Sequence, residues 1–273
     1  MAQAVMPGDA PSTNQLINSA LGRQIFPGGN MYIKSTVLDA IARAWRVLPL
    51  YGINADGNCS CGSAHSDNGA GKHPKSRNGL RDATCNSEIV ESWLDDTENF
   101  GFSCQGSNLL VLDIDPRNGG LESFRRLISD YPELAIPTVT VLTGEYTVED
   151  QRVRGFHLYF HLRADIGHPR IFEGKYPGVD IKRNGYVVAP GSKHSSGVYY
   201  EWAPGRSPDE FEIAPLPDSL LQNPSKIQPI SERISSPSQT TEFGARVLEE
   251  ASEMVRNAPE GSRNETLYSR GIR

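Results

Sequence analysis

The sequence predicts an α+β (mixed α/β) domain. Alternating or β-branched segments crowd the middle of the chain, at 99–103, 109–115, 138–142, 155–162, 179–182, 186–189 and 198–202. Segments with apolar residues at helical spacing interrupt them. The interruptions are irregular, not a repeating strand–helix alternation, and this favours an α+β or mixed sheet over a doubly wound parallel one.

Taken in order, Val37, Leu38, Ile41 and Val47 have helical spacing, so a helix is expected over 37–47, leading to Pro49. From Gly52 to Arg81 the chain is rich in Gly, Asn, Ser and Lys and nearly devoid of large apolar residues. So long a stretch without its own core calls for some other ordering device. Ile89, Val90, Trp93 and Leu94 mark a helix over 86–94, and Leu121, Phe124, Leu127 and Ile128 mark another after Gly119-Gly120. Phe156, Leu158, Phe160 and Leu162 alternate with His157, Tyr159 and His161, as a strand with one buried face requires. Asn184-Gly185 between two strand segments reads as a hairpin turn. Residues 221–241 shift to Pro, Ser and Gln and read as a linker, after which Phe243, Val247, Leu248, Ala251 and Val255 begin a helical unit over 242–273. The chain ends just inside that unit, as a segment of a longer protein would.

The 273 residues carry a formal net charge of −6, which argues against an indiscriminate nucleic-acid binder but not against a local basic groove. Basic residues cluster in Lys72, Lys75, Arg77 and Arg81, and in Lys182, Arg183 and Lys193. No apolar run is long enough to span a bilayer, and the N-terminus lacks the pattern of a signal peptide. A cytoplasmic protein without membrane association is expected. In that compartment the four cysteines are not a disulfide framework.

Two features carry chemistry. The first is Val-Leu-Asp-Ile-Asp-Pro at 111–116, where Asp113 and Asp115 share one strand face at the edge of an apolar run. Two carboxylates so close need a proton or a cation between them, and Mg²⁺ and Mn²⁺ take oxygen ligands of this kind. Asp180 and Lys182 share a face in Val-Asp-Ile-Lys, and His157 occupies the polar face of its own strand. Carboxylates, a histidine and a lysine are the equipment for nucleotidyl transfer. Solvated aspartates at a strand end, and a hydrogen-bonded structural histidine, are the plainer alternatives. His161 reads as structural.

The second feature is the polar loop. Cys59, Cys61, His65 and His73 supply four donors for a tetrahedral Zn²⁺, which would order the loop without a hydrophobic core. Cys85 stands as an alternative to His65, and Cys104 reads as a small buried hydrophobe.

The succession CSCG…GKHP, RDAT, IVESWL, NFGFSCQG, VLDIDPRNGG, TVTVLTG, GFHLYF and GVDIKRNGYVVAPGSKHSSGVYYEW resembles the bifunctional primase-polymerase (prim-pol) domain of phage and plasmid replication proteins, within the archaeo-eukaryotic primase superfamily. The resemblance covers most of residues 30–220. It implies a catalytic domain at 1–220, with an RRM-like catalytic sheet and a small zinc-bearing subdomain inserted at about 54–82. It also implies that Asp113, Asp115 and Asp180 hold two catalytic Mg²⁺ or Mn²⁺ ions and that His157 contacts the nucleotide phosphates. Lys182, Ser192 and His194 would contribute to the nucleotide pocket. The implied partners are single-stranded DNA template, NTPs and dNTPs, and a helicase domain or protein beyond residue 273. Two departures stand out. The family's short Gly-rich turn before the motif histidine is replaced by an insertion, Glu145 to Gly155, and His65 stands where a third cysteine is common. A D-x-D glycosyltransferase would account for Asp113 and Asp115 alone, and a non-catalytic origin- or template-binding module for none of the acidic residues.

Overall fold

The structure, a computed structural model, describes residues 29–65, 69–162 and 174–217. The expected linker at 221–241 and the helical unit at 242–273 lie outside the described residues. The fold is mixed α/β, built on two antiparallel sheets with one short parallel pairing.

Helix α1 (Gly29–Ala42) leads into strand β1 (Val47–Leu50). The helix expected over 37–47 therefore starts earlier and stops at Ala42. Ala44 adopts a left-handed φ of 60°, which ends the helix and turns Trp45 into the core. Val47–Leu50, apolar throughout, is buried at every position as a strand against β2 (Asn99–Ser103). Pro49 is tolerated because β1 lies at the edge of its sheet. Helix α2 (Ser87–Trp93) is capped by Asn86, whose side chain accepts the Ile89 amide hydrogen at 3.1 Å. It buries Val90 and leaves Ile89 exposed, contrary to the apolar face expected there.

Strand β3 (Leu109–Ile114) is central to the larger sheet. It is followed by helix α3 (Gly120–Asp130), the hairpin β4 (Thr140–Val148) and β5 (Gln151–His161), then β6 (Val179–Lys182), β7 (Tyr186–Val188), β8 (Glu201–Trp202) and β9 (Ala214–Pro215). The larger sheet runs β6-β3-β5-β4-β8 with β9 beside β5, and the smaller runs β1-β2-β7. Asn184-Gly185 does not close a hairpin. β6 pairs with β3 and β7 with β2, so this dipeptide is the corner where the chain changes sheets. The strand expected over 198–202 shortens to Glu201–Trp202, plus a single bridge between Lys193 and Tyr199.

The strict alternation of β3 and β5 divides the core in two. Leu110, Leu112, Ile114, Phe156 and Phe160 face α3, where Phe124, Leu127 and Ile128 cover them. Val111, Tyr159, Val139 and Val141 face the other way, in one core with the smaller sheet, α1 and α2. Trp45 joins the sheets, stacked at 6.0 Å on Tyr159 and edge-on at 5.4 Å to Phe102. The second face also carries Asp113 and His157, so the site lies where this two-sheet core meets solvent. No described helix is long and apolar enough to cross a membrane.

Candidate active site

Register brings the polar residues together. Asp113 on β3 stands directly opposite His157 on β5 and, on its other side, opposite Asp180 on β6. Three neighbouring strands thus present carboxylate, carboxylate and imidazole in one row. Lys182, two residues along β6 from Asp180, shares that face, opposite Val111.

Like charges in such a row need compensation, and the protein supplies it. His157 Nε2 lies 3.4 Å from one Asp113 oxygen, and Lys182 Nζ lies 3.7 Å from the other and 3.0 Å from Asp180. Burial pushes the Asp113 carboxyl up, but His157, Lys182 and Lys72 outweigh it and hold the group below the usual carboxylate range. Asp115 is compensated separately. It caps the turn at Pro116–Asn118, and its oxygens accept from the Arg117 amide (3.0 Å), Arg117 Nε (3.0 Å), Arg117 Nη2 (2.5 Å) and Asn118 Nδ2 (3.0 Å). His157 Nδ1 and the Tyr159 hydroxyl, both buried, have no hydrogen-bond partner among the described residues.

His194 closes one end of the site. Its ring lies over Gly144, where an added Cβ would fall inside the imidazole. Burial, with Lys72, Arg117 and Arg154 nearby, pushes its pKa down to about 3, so the ring is neutral at physiological pH. Nδ1 accepts the Ser196 amide hydrogen at 3.0 Å, so the ring proton sits on Nε2 and is donated to the Tyr146 oxygen 3.2 Å away. Gly144→Ala is expected to expel the imidazole at a cost of about 1–3 kcal/mol. Thermal melts should show that loss, and Tyr146 should lose its partner.

Ser192 is not brought to this cluster. Fully buried, its hydroxyl accepts from the Phe100 amide at 3.1 Å and donates to the Phe100 carbonyl at 3.3 Å, tying the 190–194 loop to β2. His161 is exposed on the polar face beyond Tyr159. The insertion at 145–155 continues the β4–β5 ladder as a hairpin whose turn residues, Glu149 and Asp150, both have positive φ. Buried Arg154 supports its base, bonding the carbonyls of Leu142, Thr143 and Tyr199 and pairing with Glu201.

Three residues of the site were not singled out from the sequence. Tyr146, on the inserted hairpin, lies under the Arg117 guanidinium at 4.3 Å, and burial pushes its hydroxyl up to about 12. Arg117 was visible only as the residue after Asp-Pro. Lys72 belonged to a basic cluster in the polar loop; it is half-buried and coupled electrostatically to Asp113, Asp115 and Lys182.

The loop that carries Lys72 gathers the sulfur and imidazole donors. The ligand atoms of Cys59, Cys61, His65 and His73 all lie within 4.8 Å of one another, with Cys61 Sγ 3.0 Å from His65 Nε2. That hydrogen bond leads the causes that pull the Cys61 thiol down to about 6. Cys85 is exposed and outside the group, and Cys104 is buried. The loop is stitched to the small sheet by the Tyr51 amide on the His73 carbonyl, Asn99 Nδ2 on the Gly71 carbonyl and the Tyr186 hydroxyl on the Lys72 carbonyl.

An antiparallel sheet bearing carboxylates ringed by lysine, arginine and histidine defines a class: proteins equipped to handle phosphate groups alongside a cation. Residues 37–219 match the family model described as bifunctional DNA primase/polymerase, N-terminal. The chain belongs to that family, whose general activity is that of a DNA primase/polymerase of the nucleotidyltransferase type, acting on DNA and nucleotides. A search of the curated proteins finds no significant match.

Proposed function

We propose that the chain synthesises and extends primers on single-stranded DNA by metal-assisted nucleotidyl transfer, in the replication of a phage or plasmid. The observation that carries this reading is the row Asp180–Asp113–His157 across three adjacent strands. The donor set fits divalent cations. Asp113, Asp115 and Asp180 offer hard oxygens, and the Lys182 ammonium already sits as a cation between Asp113 and Asp180. The unpartnered Nδ1 of His157 is a buried polar atom that a ligand or water would satisfy.

Mg²⁺ or Mn²⁺ held by these carboxylates would supply Lewis-acid stabilisation of charge at the α-phosphorus as a primer 3′-hydroxyl displaces pyrophosphate. The chain's own groups do the rest. Lys182 and Lys72 neutralise the triphosphate, and His157 fixes the orientation of Asp113. Neutral His194 donates its proton without adding charge, and holds Tyr146. The Cys59, Cys61, His65 and His73 group fits a structural Zn²⁺ that orders the loop bearing Lys72. We also read the larger sheet as the RRM-like catalytic sheet of the archaeo-eukaryotic primases, with the template in the basic surroundings of Lys72 and Lys182 and a helicase as the partner in replication.

Incorporation of labelled NTPs or dNTPs that requires both a single-stranded template and Mg²⁺ or Mn²⁺ is the expected result; template binding with no incorporation under any nucleotide pool overturns the reading. Lys72→Ala should raise the nucleotide KM about ten-fold or more, because a charge-assisted contact to phosphate is lost, with a smaller change in kcat. Steady-state kinetics with varied nucleotide checks it.

A further inference from the structure

The reading above assigns Asp115 to a divalent cation, yet its carboxylate is already saturated. A carboxylate has about four lone-pair positions, and Asp115 fills them with the Arg117 amide, Arg117 Nε, Arg117 Nη2 and Asn118 Nδ2. The amide bond belongs to the turn and can persist. The two guanidinium bonds cannot persist beside a dication, for reasons of both space and charge.

The guanidinium also has a second support. Its carbon lies 4.3 Å from the centre of the Tyr146 ring, and Tyr146 is in turn fixed by the Nε2 proton of His194. Tyr146 sits on the inserted hairpin, so this support comes from the segment in which the chain departs from the family pattern. An arginine fork matches carboxylate and phosphate equally well. Released from Asp115, and still resting on an aromatic ring beside Lys72, it would meet a triphosphate with no large movement.

We propose, resting on the metal-dependent reading of the site, that Arg117 is a nucleotide-phosphate ligand held in reserve on Asp115. Its guanidinium neutralises that carboxylate in the free protein, yields the position to the divalent cation, and transfers to the triphosphate, with Tyr146 as its platform. Binding of cation and nucleotide are thereby coupled through one side chain. Cation alone must displace a bidentate ion pair, whereas cation with nucleotide gives the displaced guanidinium a new partner.

The test is Mn²⁺ binding to the zinc-loaded chain, followed by electron paramagnetic resonance of the free ion, with and without a non-hydrolysable nucleoside triphosphate. In wild type the triphosphate should tighten Mn²⁺ binding beyond what the free triphosphate itself binds. Arg117→Ala should bind Mn²⁺ alone several-fold more tightly than wild type, and its nucleotide KM should rise about ten-fold. Arg117→Lys, which keeps the charge but loses the fork, should fall between. If Arg117 only braces the turn, Arg117→Ala will bind Mn²⁺ alone no better than wild type, or worse, and the proposal is overturned while the metal reading survives. If wild type binds no Mn²⁺ and Asp113→Asn changes nothing, the metal reading falls and takes this proposal with it.

Discussion

Asp113→Asn is expected to lower nucleotide incorporation by a factor on the order of 10³ or more, the scale on which active sites lose a preorganised electrostatic contact, with circular dichroism expected to show the fold retained. The expectation follows from the position of this one carboxylate. Among the described residues it is the only one paired in register with both Asp180 and His157, Lys182 Nζ lies 3.7 Å from it, and Lys72 acts on it electrostatically. The amide has nearly the same shape, so the strand keeps its packing between Val111 and Ile114. What it loses is the negative charge that faces the Lys182 ammonium and His157 Nε2. Lys182 retains Asp180 at 3.0 Å, but His157 loses the carboxylate 3.4 Å away, and Lys72 loses the electrostatic influence of Asp113.

That loss also reaches stability, with a defined pH dependence. The folded pKa of Asp113 lies below its unfolded value, so its ionised form stabilises the native state above the unfolded pKa. The contribution disappears as pH falls through the folded value. Melts of wild type and Asp113→Asn should therefore differ at neutral pH, with the variant the less stable, and converge only once the pH has fallen through the folded value, below the ordinary carboxylate range. Normal incorporation by Asp113→Asn would remove the site assignment. A stability gap that widens in acid would remove the electrostatic account of Asp113.

The strands carrying this site were legible because their polar residues all fall on one face, although Val111 and Tyr159 on that same face are buried in the second core. Alternation in 109–115 and 155–162 placed Asp113 and His157 opposite the residues that α3 covers, and the structure divides them in the same way. Pairing was not legible. Nothing local in Val-Asp-Ile-Lys says that β6 lies beside β3, and Asn184-Gly185 pointed to a hairpin partner that β6 does not have. Turn preference is worth little against the burial that draws Val187 and Val188 into the other sheet. The helix expected to run to Val47 failed for a similar reason. Helical spacing continues through residues 43–47, but Val47–Leu50 gains more by pairing with β2 than by adding a turn. Lys72, Arg117 and Tyr146 went unassigned because their roles are set by what the fold places next to them, 40 or more residues away in the chain for Lys72 and Asp113.

Stripping the polar loop of the zinc proposed for it has the second large expected effect, on both structure and catalysis. The loop contributes few large apolar side chains to the core, Ile53 and Cys59 being buried, so its order depends on backbone bonds to the small sheet and on the four gathered donors. Zinc binding by small domains contributes on the order of 10 kcal/mol to folding. The stitches from Tyr51, Asn99 and Tyr186 would remain here, so a fraction of that should be lost, with a fall in Tm of roughly 10 °C for a domain of this size. Elemental analysis should find one zinc per chain, reduced in Cys59→Ser and His65→Ala and unchanged in Cys85→Ser, because Cys85 lies outside the cluster. Cys61 supplies a direct readout. With its pKa pulled down to about 6, chiefly by His65, the metal-free thiol is mostly thiolate at pH 7 and should be alkylated quickly, and zinc should protect it. The catalytic consequence runs through the backbone: Lys72 immediately precedes His73, so freeing that histidine loosens the lysine that acts electrostatically on Asp113. Chelation should therefore reproduce the raised nucleotide KM of Lys72→Ala in the wild-type chain and add little to it in the variant. Additive effects in the chelated variant would mean that zinc acts on nucleotide binding by a route other than Lys72.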